Sequence, residues 1–285
     1  MSKIYVSLDI GGTKLIVASF TGAGSPLKRE FAPTPAKLNE GLDLLDRMMT
    51  KVSEGKHISG IGAAAGGPLD YRTGVISPLH QPEWRSVPLK KIMENKWGCP
   101  FNIDIDTNVA ALAEYDALEK KTRLLLYITL STGMGGGLVL EGNIYRGLNG
   151  DHPEIGHQTV SYRSPRNKPV RCSCGAEGCL EELVSGNGIR RVYGKPPEQL
   201  NAKEWSDVSW NLGQGLRNLA AIYLPDVIVF GGGISFGAGD KLFNPAIRIM
   251  RENLKIVPHP RVKISALGAE NVSRGGFLLA RKGND

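Results

Sequence analysis

The stretch KIYVSLDIGGTKLIVASF, residues 3–20, places a glycine turn between two apolar runs. Residues 3–10 alternate apolar and polar side chains and then become apolar, which predicts a β-strand. Residues 15–20 are apolar again, so the two runs predict a hairpin with GGTK at its turn. A glycine turn after a strand lets backbone N–H groups approach a phosphate without a side-chain clash. This hairpin therefore predicts both a sheet and a place for a phosphate group.

A second arrangement of the same kind begins near the middle of the chain. RLLLYITL (123–130) predicts a buried strand, STGMGGG (131–137) supplies the glycine turn, and residues 137–147 continue as strand and hairpin. Two similar glycine hairpins, one at the start of each half, predict two related lobes that face a cleft.

Between and after these hairpins, strand patterns alternate with helix patterns, which predicts an α/β fold with two lobes. The predicted helices cover 41–52, 89–97, 107–120, 210–224, 242–254 and 274–283, and the predicted further strands cover 58–65, 101–105, 226–235 and 262–267. We expect the first lobe to span residues 1–108 together with the C-terminal helix (273–285), and the second lobe to span residues 109–272.

The bulk composition is that of a globular protein. The chain has 285 residues, of which 41% are hydrophobic and 22% are charged. No window approaches about 20 continuous apolar residues, and the N-terminus lacks a signal-peptide pattern, so we expect a cytoplasmic protein with no membrane partner. The net charge of +7 is compatible with a basic surface, a nucleic acid or an anionic substrate such as ATP. Because the basic residues are scattered, charge alone does not establish a nucleic-acid partner.

The first glycine loop has the chemistry of a nucleotide site. Gly11 and Gly12 allow close approach of a phosphate, Thr13 and Lys14 can donate hydrogen bonds to it, and Asp9 can hold a hydrated Mg²⁺. The Gly-x-x-x-x-Gly-Lys spacing of a P-loop is absent. A plain hairpin turn is the alternative interpretation of this motif alone.

Two further glycine clusters strengthen the nucleotide interpretation. Ser131 and Thr132 repeat the donor chemistry in the second loop. Gly231–Gly233 end an apolar strand pattern, where an adenine or ribose can lie flat against the backbone. Together the three clusters predict two lobes that close on ATP.

A carboxylate follows another predicted strand. Asp104 and Asp106 stand at a strand-to-helix junction, and ligands of α/β folds bind at the carboxyl ends of strands. A carboxylate there can accept the proton of a substrate hydroxyl that attacks a γ-phosphate. The alternative is that Asp106 only caps the helix that follows.

Seven motifs, taken in order, resemble the ROK family of bacterial sugar kinases and repressors, within the actin-like ATPase superfamily. They are LDIGGTK (8–14), GGPLD (66–70), DTNVAALAE (106–114), LSTGMGGG (130–137), PEIGH (153–157), CSCGAEGCLE (172–181) and VIVFGGGIS (227–235). The resemblance runs from about residue 4 to residue 280. It implies a two-lobed actin-like (RNase H-like) fold and the transfer of a phosphoryl group from Mg-ATP to a hexose.

The resemblance also implies a role for individual residues. The catalytic base falls on Asp106. The substrate-binding residues fall on Gly67, Asn108, Glu154, His157 and Glu181. The residues that bind ATP and magnesium fall on Asp9, Gly11, Gly12, Thr13, Lys14, Thr132, Gly133, Gly135, Gly231, Gly232 and Gly233. Glucose, phosphorylated on its 6-hydroxyl, is the default substrate, and fructose, mannose and an N-acetylhexosamine are alternatives.

His157, Cys172, Cys174 and Cys179 offer one nitrogen and three sulfurs. That donor set suits a four-coordinate structural Zn²⁺, and the family resemblance supports it. A disulfide is disfavoured because Cys172 and Cys174 are close in sequence and the chain is expected in the cytoplasm. Four protein ligands leave no open position for catalysis, so we expect the metal to orient His157 and Glu181 rather than to react.

The chain departs from the family pattern at three positions. Ile105 stands where the family has an asparagine that helps to hold the sugar, Gly66 replaces a proline, and Pro153 replaces a glycine. These changes leave the phosphoryl-transfer residues in place and affect the identity of the sugar.

Two other functions are alternatives to the kinase. A repressor of this family carries a helix-turn-helix domain before the first loop, and a loop that begins at Asp9 leaves no room for one, so no nucleic-acid partner is expected. A catalytically inactive sugar-binding protein is the second, and the retained Asp9, Lys14, Asp106 and Thr132 argue against it. The resemblance further implies a homo-oligomer, a dimer or a tetramer.

Overall fold

The structure is a computed structural model that describes residues 3–79, 81–118, 121–166 and 168–282. The chain divides into two compact units. The first contains the chain up to residue 117, residues 147–151 and everything from residue 269 on; the second contains residues 118–146 and 152–268. The predicted boundary after residue 108 falls inside a helix, and the structure keeps that whole helix in the first unit.

Up to residue 118, the described residues form eight strands and three helices. They are β1 (Ile4–Ile10), β2 (Lys14–Thr21), β3 (Pro26–Pro33), α1 (Leu38–Ser53), β4 (Ile58–Ala65), β5 (Leu69–Asp70), β6 (Val75–Ile76), β7 (Val87–Pro88), α2 (Leu89–Trp97), β8 (Phe101–Ile105) and α3 (Asp106–Asp116).

The remainder forms five strands and six helices in the described residues. They are β9 (Leu124–Leu130), β10 (Met134–Leu140), β11 (Asn143–Ile144), α4 (Leu180–Val184), α5 (Gly186–Tyr193), α6 (Ala202–Tyr223), β12 (Val227–Gly231), α7 (Gly233–Ala238), α8 (Asp240–Glu252), β13 (Arg261–Ile264) and α9 (Asn271–Lys282). A short 3₁₀ turn, Ile155–His157, lies in the region predicted as loop.

The sheet of the first unit has the order β3-β2-β1-β4-β8. The predicted hairpin is confirmed: β1 and β2 are antiparallel, and Ile10 pairs with Leu15 across the glycine turn. β1, β4 and β8 run parallel, so their carboxyl ends share one edge of the sheet. Apolar residues of these strands pack against α1 and α2 to form one core.

Helix α9 covers the other face of this sheet through glycine contacts. A side chain at Gly276 would overlap the hydroxyl of Ser7 on β1, and one at Gly62 on β4 would overlap the backbone of α9. The absence of side chains lets the helix backbone lie directly on the strands. The same helix packs on α3, where Asn271 Nδ2 lies 3.4 Å from Glu114 Oε1. Helix α9 thereby supports the helix that begins at Asp106.

The sheet of the second unit has the order β11-β10-β9-β12-β13. β9 and β10 are antiparallel, and β9, β12 and β13 are parallel. Its core is formed by these strands with α4, α5, α6 and α8. The predicted similarity of the two halves therefore extends to strand order and direction: an antiparallel hairpin continued by two parallel strands.

Several element boundaries differ from the prediction. Asp106 is the first residue of α3, and Ile105 occupies the N-cap position, so the alternative interpretation of Asp106 as the N-cap is wrong. Helix α3 ends at Asp116, whereas the prediction extends it to residue 120. Residues 119 and 120 lie outside the described residues. Helix α6 begins eight residues earlier than predicted because Asn201 and Glu204 form a capping box.

The third glycine cluster also differs. The strand predicted to reach residue 235 ends at Gly231 because Gly232 has φ +92°, a left-handed conformation that interrupts an extended chain. The edge strand β3 was not predicted, because its charged side chains lack the apolar pattern of a buried strand. Helices α4 and α5 were also missed.

No helix among the described residues combines the length and the apolar character needed to cross a membrane.

Candidate active site

The first glycine loop is a tight turn at the edge of the first unit's sheet. The N–H of Gly11 donates to the carbonyl of Lys14 at 3.1 Å, and Gly12, Thr13 and Lys14 are exposed. Thr34 holds the loop from the side: its hydroxyl donates to the carbonyl of Gly11 at 2.6 Å, and its N–H donates to the carbonyl of Thr13 at 3.1 Å. Sequence reasoning missed Thr34 because the strand that delivers it was not predicted.

Asp9 lies on β1 just before this loop. The pKa of its carboxyl is raised to about 7, mainly by burial and also by the nearby Asp106, while Lys14 and Arg29 oppose the shift. An ionised Asp9 is therefore short of compensating positive charge. Mg²⁺ prefers carboxylate oxygens and bound water, so the donor chemistry at Asp9 fits this ion.

Asp106 stands at the carboxyl end of β8, as the sequence predicts. Its side chain is exposed, and one carboxyl oxygen accepts a hydrogen bond from the N–H of Thr107 at 2.7 Å. Its place in the first turn of α3 favours a negative charge. The arrangement can accept a proton from a hydroxyl group that reaches this carboxylate.

The other polar residues of this junction are buried. Asp104 is 2% exposed and accepts hydrogen bonds from the N–H of Ile105 and the amide of Asn108, both at 2.8 Å. Asn108 is 1% exposed. A role in holding the junction together fits this burial better than direct contact of Asn108 with a sugar.

Gly67 follows β4, and its peptide bond to Pro68 is cis. Its carbonyl accepts a hydrogen bond from the N–H of Leu79 at 3.1 Å. If Gly67 carried a Cβ atom, that atom would lie 3.1 Å from the terminal methyl (Cδ1) of Ile105, so the two residues are in close contact. The position where the resemblance expects a polar asparagine is thus an apolar contact beside Gly67.

The second glycine loop is held by different groups. Within the turn, the N–H of Ser131 donates to the carbonyl of Gly133 at 2.9 Å. The carboxylate of Glu181 accepts from the N–H of Met134 at 3.3 Å and lies close to Gly133. Glu181, predicted to hold the sugar, therefore also supports the loop predicted to hold phosphate. Helix α5 adds two hydrogen bonds to the loop from its first two residues.

A pocket of about 420 Å³ lies beside this loop, wholly within the second unit. Its volume is in the range of small-molecule sites. The residues that line it are Ser131, Thr132, Gly186, Arg190, Pro197, Glu198, Trp205, Gly233, Ile234, Gly237, Ala238 and Lys241. Sequence reasoning found Ser131, Thr132 and Gly233. It missed the others because they come from α5, α6 and α8, whose approach to the loop no local pattern reveals.

The three glycines of the third cluster have different positions. Gly233 lines the pocket. The carbonyl of Gly231 accepts a hydrogen bond from the hydroxyl of Ser235 at 2.7 Å, and a side chain at Gly231 would overlap the hydroxyl of Tyr127. Gly231 and Gly232 thus serve the turn that ends β12, and Gly233 offers its surface to the pocket.

Glu154 and His157 come together in the second unit, as the resemblance implies. One carboxyl oxygen of Glu154 lies 4.0 Å from Nε2 of His157, and the other lies 3.5 Å from Nε2 of His152. The side chain of Glu154 is 61% exposed, so its oxygens are open to a ligand. His152 was not singled out in the sequence.

The three cysteines and His157 form one cluster. Their ligand atoms all lie within 4.8 Å of one another. Sγ of Cys172 is 3.5 Å from Nδ1 of His157, and the Sγ atoms of Cys174 and Cys179 are 3.5 Å apart. A tetrahedral Zn²⁺ with bonds of roughly 2.3 Å needs ligands about 3.7 Å apart, so the donor set and its spacing fit this ion. Nδ1 of His157 faces the thiols, which leaves Nε2 toward Glu154.

The chain is similar to known proteins of one family. The sequence profile of the ROK family matches residues 5–282. This chain belongs to the ROK family. A glucokinase of Halalkalibacterium halodurans is 32% identical over 98% of this chain and 96% of its own length. A fructokinase of Zymomonas mobilis is 30% identical over 81% of this chain and 80% of its own length.

Solved structures of ROK proteins share the fold. The crystal structure of a ROK hexokinase from Thermus thermophilus has a TM-score of 0.84 and 30% identity, and the match covers 98% of both chains. The α/β class predicted from the alternation of strand and helix patterns is confirmed, and the fold with its mixed sheets is similar to that of ROK kinases.

Proposed function

We propose that this protein is an ATP-dependent hexose kinase in which Asp106 is the general base. The observation that carries the proposal is the exposed carboxylate of Asp106 at the start of α3, close enough to Asp9 to raise its pKa. One carboxylate suits a metal-bound phosphate and the other suits a hydroxyl nucleophile. ROK relatives named as glucokinase, fructokinase and hexokinase support the reaction class.

The proposed step is an in-line phosphoryl transfer. The oxygen of a sugar hydroxyl forms a bond to the γ-phosphorus of ATP while the bond from that phosphorus to the β–γ bridging oxygen breaks, and ADP leaves. Asp106 accepts the proton of the hydroxyl. Phosphoryl transfer needs positioning and charge neutralisation more than covalent help, so a single well-placed base suffices.

The two glycine loops supply the phosphate contacts. We assign Gly11, Gly12, Thr13 and Lys14 to one part of the phosphate chain and Thr132, Gly133 and Gly135 to another. Magnesium, held at Asp9, supplies neutralisation of phosphate charge when bound. Its affinity depends on deprotonation of Asp9, whose pKa of about 7 in the free protein places that event near neutral pH.

The sugar is proposed to contact Glu154, His157 and Glu181. Carboxylates accept two hydrogen bonds from neighbouring hydroxyls, which suits a hexose ring. With Nδ1 of His157 on a structural Zn²⁺, the proton of the ring stays on Nε2, which can then donate to a sugar oxygen or to Glu154. The cysteine cluster thus orients the histidine and anchors Glu181, two residues after Cys179.

Glucose, phosphorylated on its 6-hydroxyl, is the substrate we propose. A glucokinase and a hexokinase are among the relatives, and the apolar Ile105 beside Gly67 removes a polar contact without removing the base. Fructose, mannose and an N-acetylhexosamine are the alternatives, and a sugar-binding protein without activity is the contrasting function.

A coupled assay of ADP release tests the proposal. The protein, with Mg-ATP, is given glucose, mannose, fructose, N-acetylglucosamine or N-acetylmannosamine in separate reactions. We expect ADP release that depends on glucose and disappears in Asp106→Asn. ADP release that depends on another hexose would contradict glucose as the substrate and would still support a sugar kinase. Absence of sugar-dependent release from protein that binds both sugar and ATP would replace the kinase with a sugar-binding function.

A further inference from the structure

The pocket beside the second glycine loop contains a cation that the predicted phosphate contacts leave out. Arg190 of α5 lines this pocket and is exposed to solvent. Among the described residues the structure shows no hydrogen bond, ion pair or ring contact for its guanidinium. The next residue along the helix differs: Arg191 binds the buried Glu182, with Nε 2.8 Å from a carboxyl oxygen. Arg191 therefore has a structural ion pair, whereas the guanidinium of the adjacent Arg190 is available to a ligand.

The local backbone directs Arg190 toward the loop. Helix side chains lean toward the N-terminus, so Arg190 points back over Gly186, four residues earlier. Nη1 of Arg190 would lie 3.6 Å from a Cβ at Gly186, and the same Cβ would lie 3.0 Å from the carbonyl of Ser131. Because Gly186 has no side chain, the guanidinium of Arg190 and the carbonyl of Ser131 can both lie close to its Cα. The N–H of Gly186 donates to that Ser131 carbonyl at 2.8 Å, which fixes the helix on the loop.

The rest of the pocket separates the roles of its charged groups. Nζ of Lys241 lies 4.6 Å from the centre of the Trp205 ring, a cation–π distance. The ring of Trp205 therefore already has Lys241 as a partner within the lining. Glu198 is the acidic residue of the lining. Arg190 is thus the cation of the lining for which the described part of the chain shows no partner, and it shares the pocket with Ser131 and Thr132.

We propose that Arg190 is a further donor-binding residue, whose guanidinium holds the phosphate chain of ATP beside Ser131 and Thr132 while the nucleoside occupies the pocket. This inference rests on the proposed kinase function. A guanidinium matches phosphate oxygens with two parallel hydrogen bonds, which a lysine does not. The contact acts on the donor and has no part in holding the sugar.

A binding experiment tests the inference without turnover. The magnesium complex of AMPPNP, a non-hydrolysable analogue of ATP, is titrated calorimetrically into the wild type and into Arg190→Gln, Arg190→Lys and the control Lys203→Gln. Lys203 is an exposed cation near the start of α6, outside the pocket lining. Binding of adenosine, which lacks phosphates, is measured on the same proteins by ligand-observed NMR.

We expect Arg190→Gln to weaken AMPPNP binding by roughly tenfold to a hundredfold, the effect of losing a charge-assisted contact. Adenosine binding should be unchanged, Arg190→Lys should recover part of the loss, and the control should match the wild type. Unchanged AMPPNP binding in Arg190→Gln overturns the inference, and so does an equal loss for adenosine, which would show that Arg190 shapes the pocket. Neither result affects sugar-dependent ADP release by the wild type, so the kinase proposal fails only in its own assay.

Discussion

The two units share a sheet and differ in what they attach to it. In each, an antiparallel hairpin with a glycine turn is continued by two parallel strands. The turn of the first unit is held by Thr34, and the acids Asp9, just before the turn, and Asp106, after β8, lie at the same edge of the sheet. The turn of the second unit is held by Glu181 and by the start of α5, and Arg190 lines the pocket beside it. The same unit contains the cysteine cluster.

This difference shows that strand order alone does not assign chemistry. The same turn can hold a phosphate in both units because backbone N–H groups do not depend on the side chains around them. The proton acceptor and the metal-binding carboxylate are proposed in the first unit. The sugar carboxylates, the structural metal and the donor pocket are proposed in the second.

The largest effect is expected for the base. Asp106→Asn should lower kcat by roughly 10²–10⁴-fold, because the amide cannot accept the proton of the hydroxyl, and should leave sugar binding largely intact. Glu154→Gln in the second unit should act mainly on the KM for the sugar. Steady-state kinetics combined with a sugar-binding titration separates the two. Substantial turnover in Asp106→Asn would show that Asp106 is not the base. The proposal that the proton acceptor lies in the first unit would then be wrong.

The metal cluster provides the next test. Cys174→Ser should lose bound zinc, measured by elemental analysis, and should lower the Tm, because three remaining ligands hold the metal less tightly and binding energy contributes to folding. Cys99→Ser is the matched control, since Cys99 is a buried thiol of the first unit outside the cluster. Equal zinc in the two variants would contradict the assignment of four ligands.

The pH response of the first unit follows from Asp9. Its folded-state pKa, about 7, lies above its ordinary value of 3.8, so between these values the folded protein holds a proton that the unfolded chain has lost. The stability contributed by this group therefore decreases as the pH rises from 4 to 7. Asp9→Asn should raise the Tm by about 2–4 °C at pH 8 and by less at pH 5, measured in the absence of magnesium and nucleotide.

The same variant should lose most kinase activity, since its amide is a poor ligand for magnesium. A Tm gain at pH 8 no larger than the gain at pH 5 would mean that burial of Asp9 does not disfavour its charge.

The smallest effect is expected where a single hydroxyl supports a loop. Thr34→Val keeps the shape of the side chain and removes the hydrogen bond to Gly11, which should raise the KM for Mg-ATP a few fold with little change in the KM for the sugar. Thr50→Val on the exposed side of α1 serves as the control, because its hydroxyl bonds only to its own helix. A KM for ATP equal to that of the control would show that the first turn holds its shape without Thr34.

Much of the fold could be read from local patterns. The hairpin over residues 3–20, the parallel strands at 58–65 and 101–105 and helix α2 were predicted with bounds close to those observed. Apolar runs bounded by glycine specify such elements because the pattern and the turn lie in the same short segment. The capping box of Asn201 and Glu204 was a readable signal that the prediction of α6 did not use.

The sequence by itself determined the α/β class, the repeated glycine hairpins and the grouping of His157 with three cysteines, because each depends on residue type and spacing within a short stretch. The tertiary structure alone decided that Thr34 holds the first loop, that Asn108 is buried against Asp104 and that Arg190 lines the pocket beside the second loop. The contacts of Thr34 and Arg190 join segments that are far apart in the chain, and that of Asn108 depends on burial of the whole junction. They arise from the packing of a whole unit, which no local pattern records.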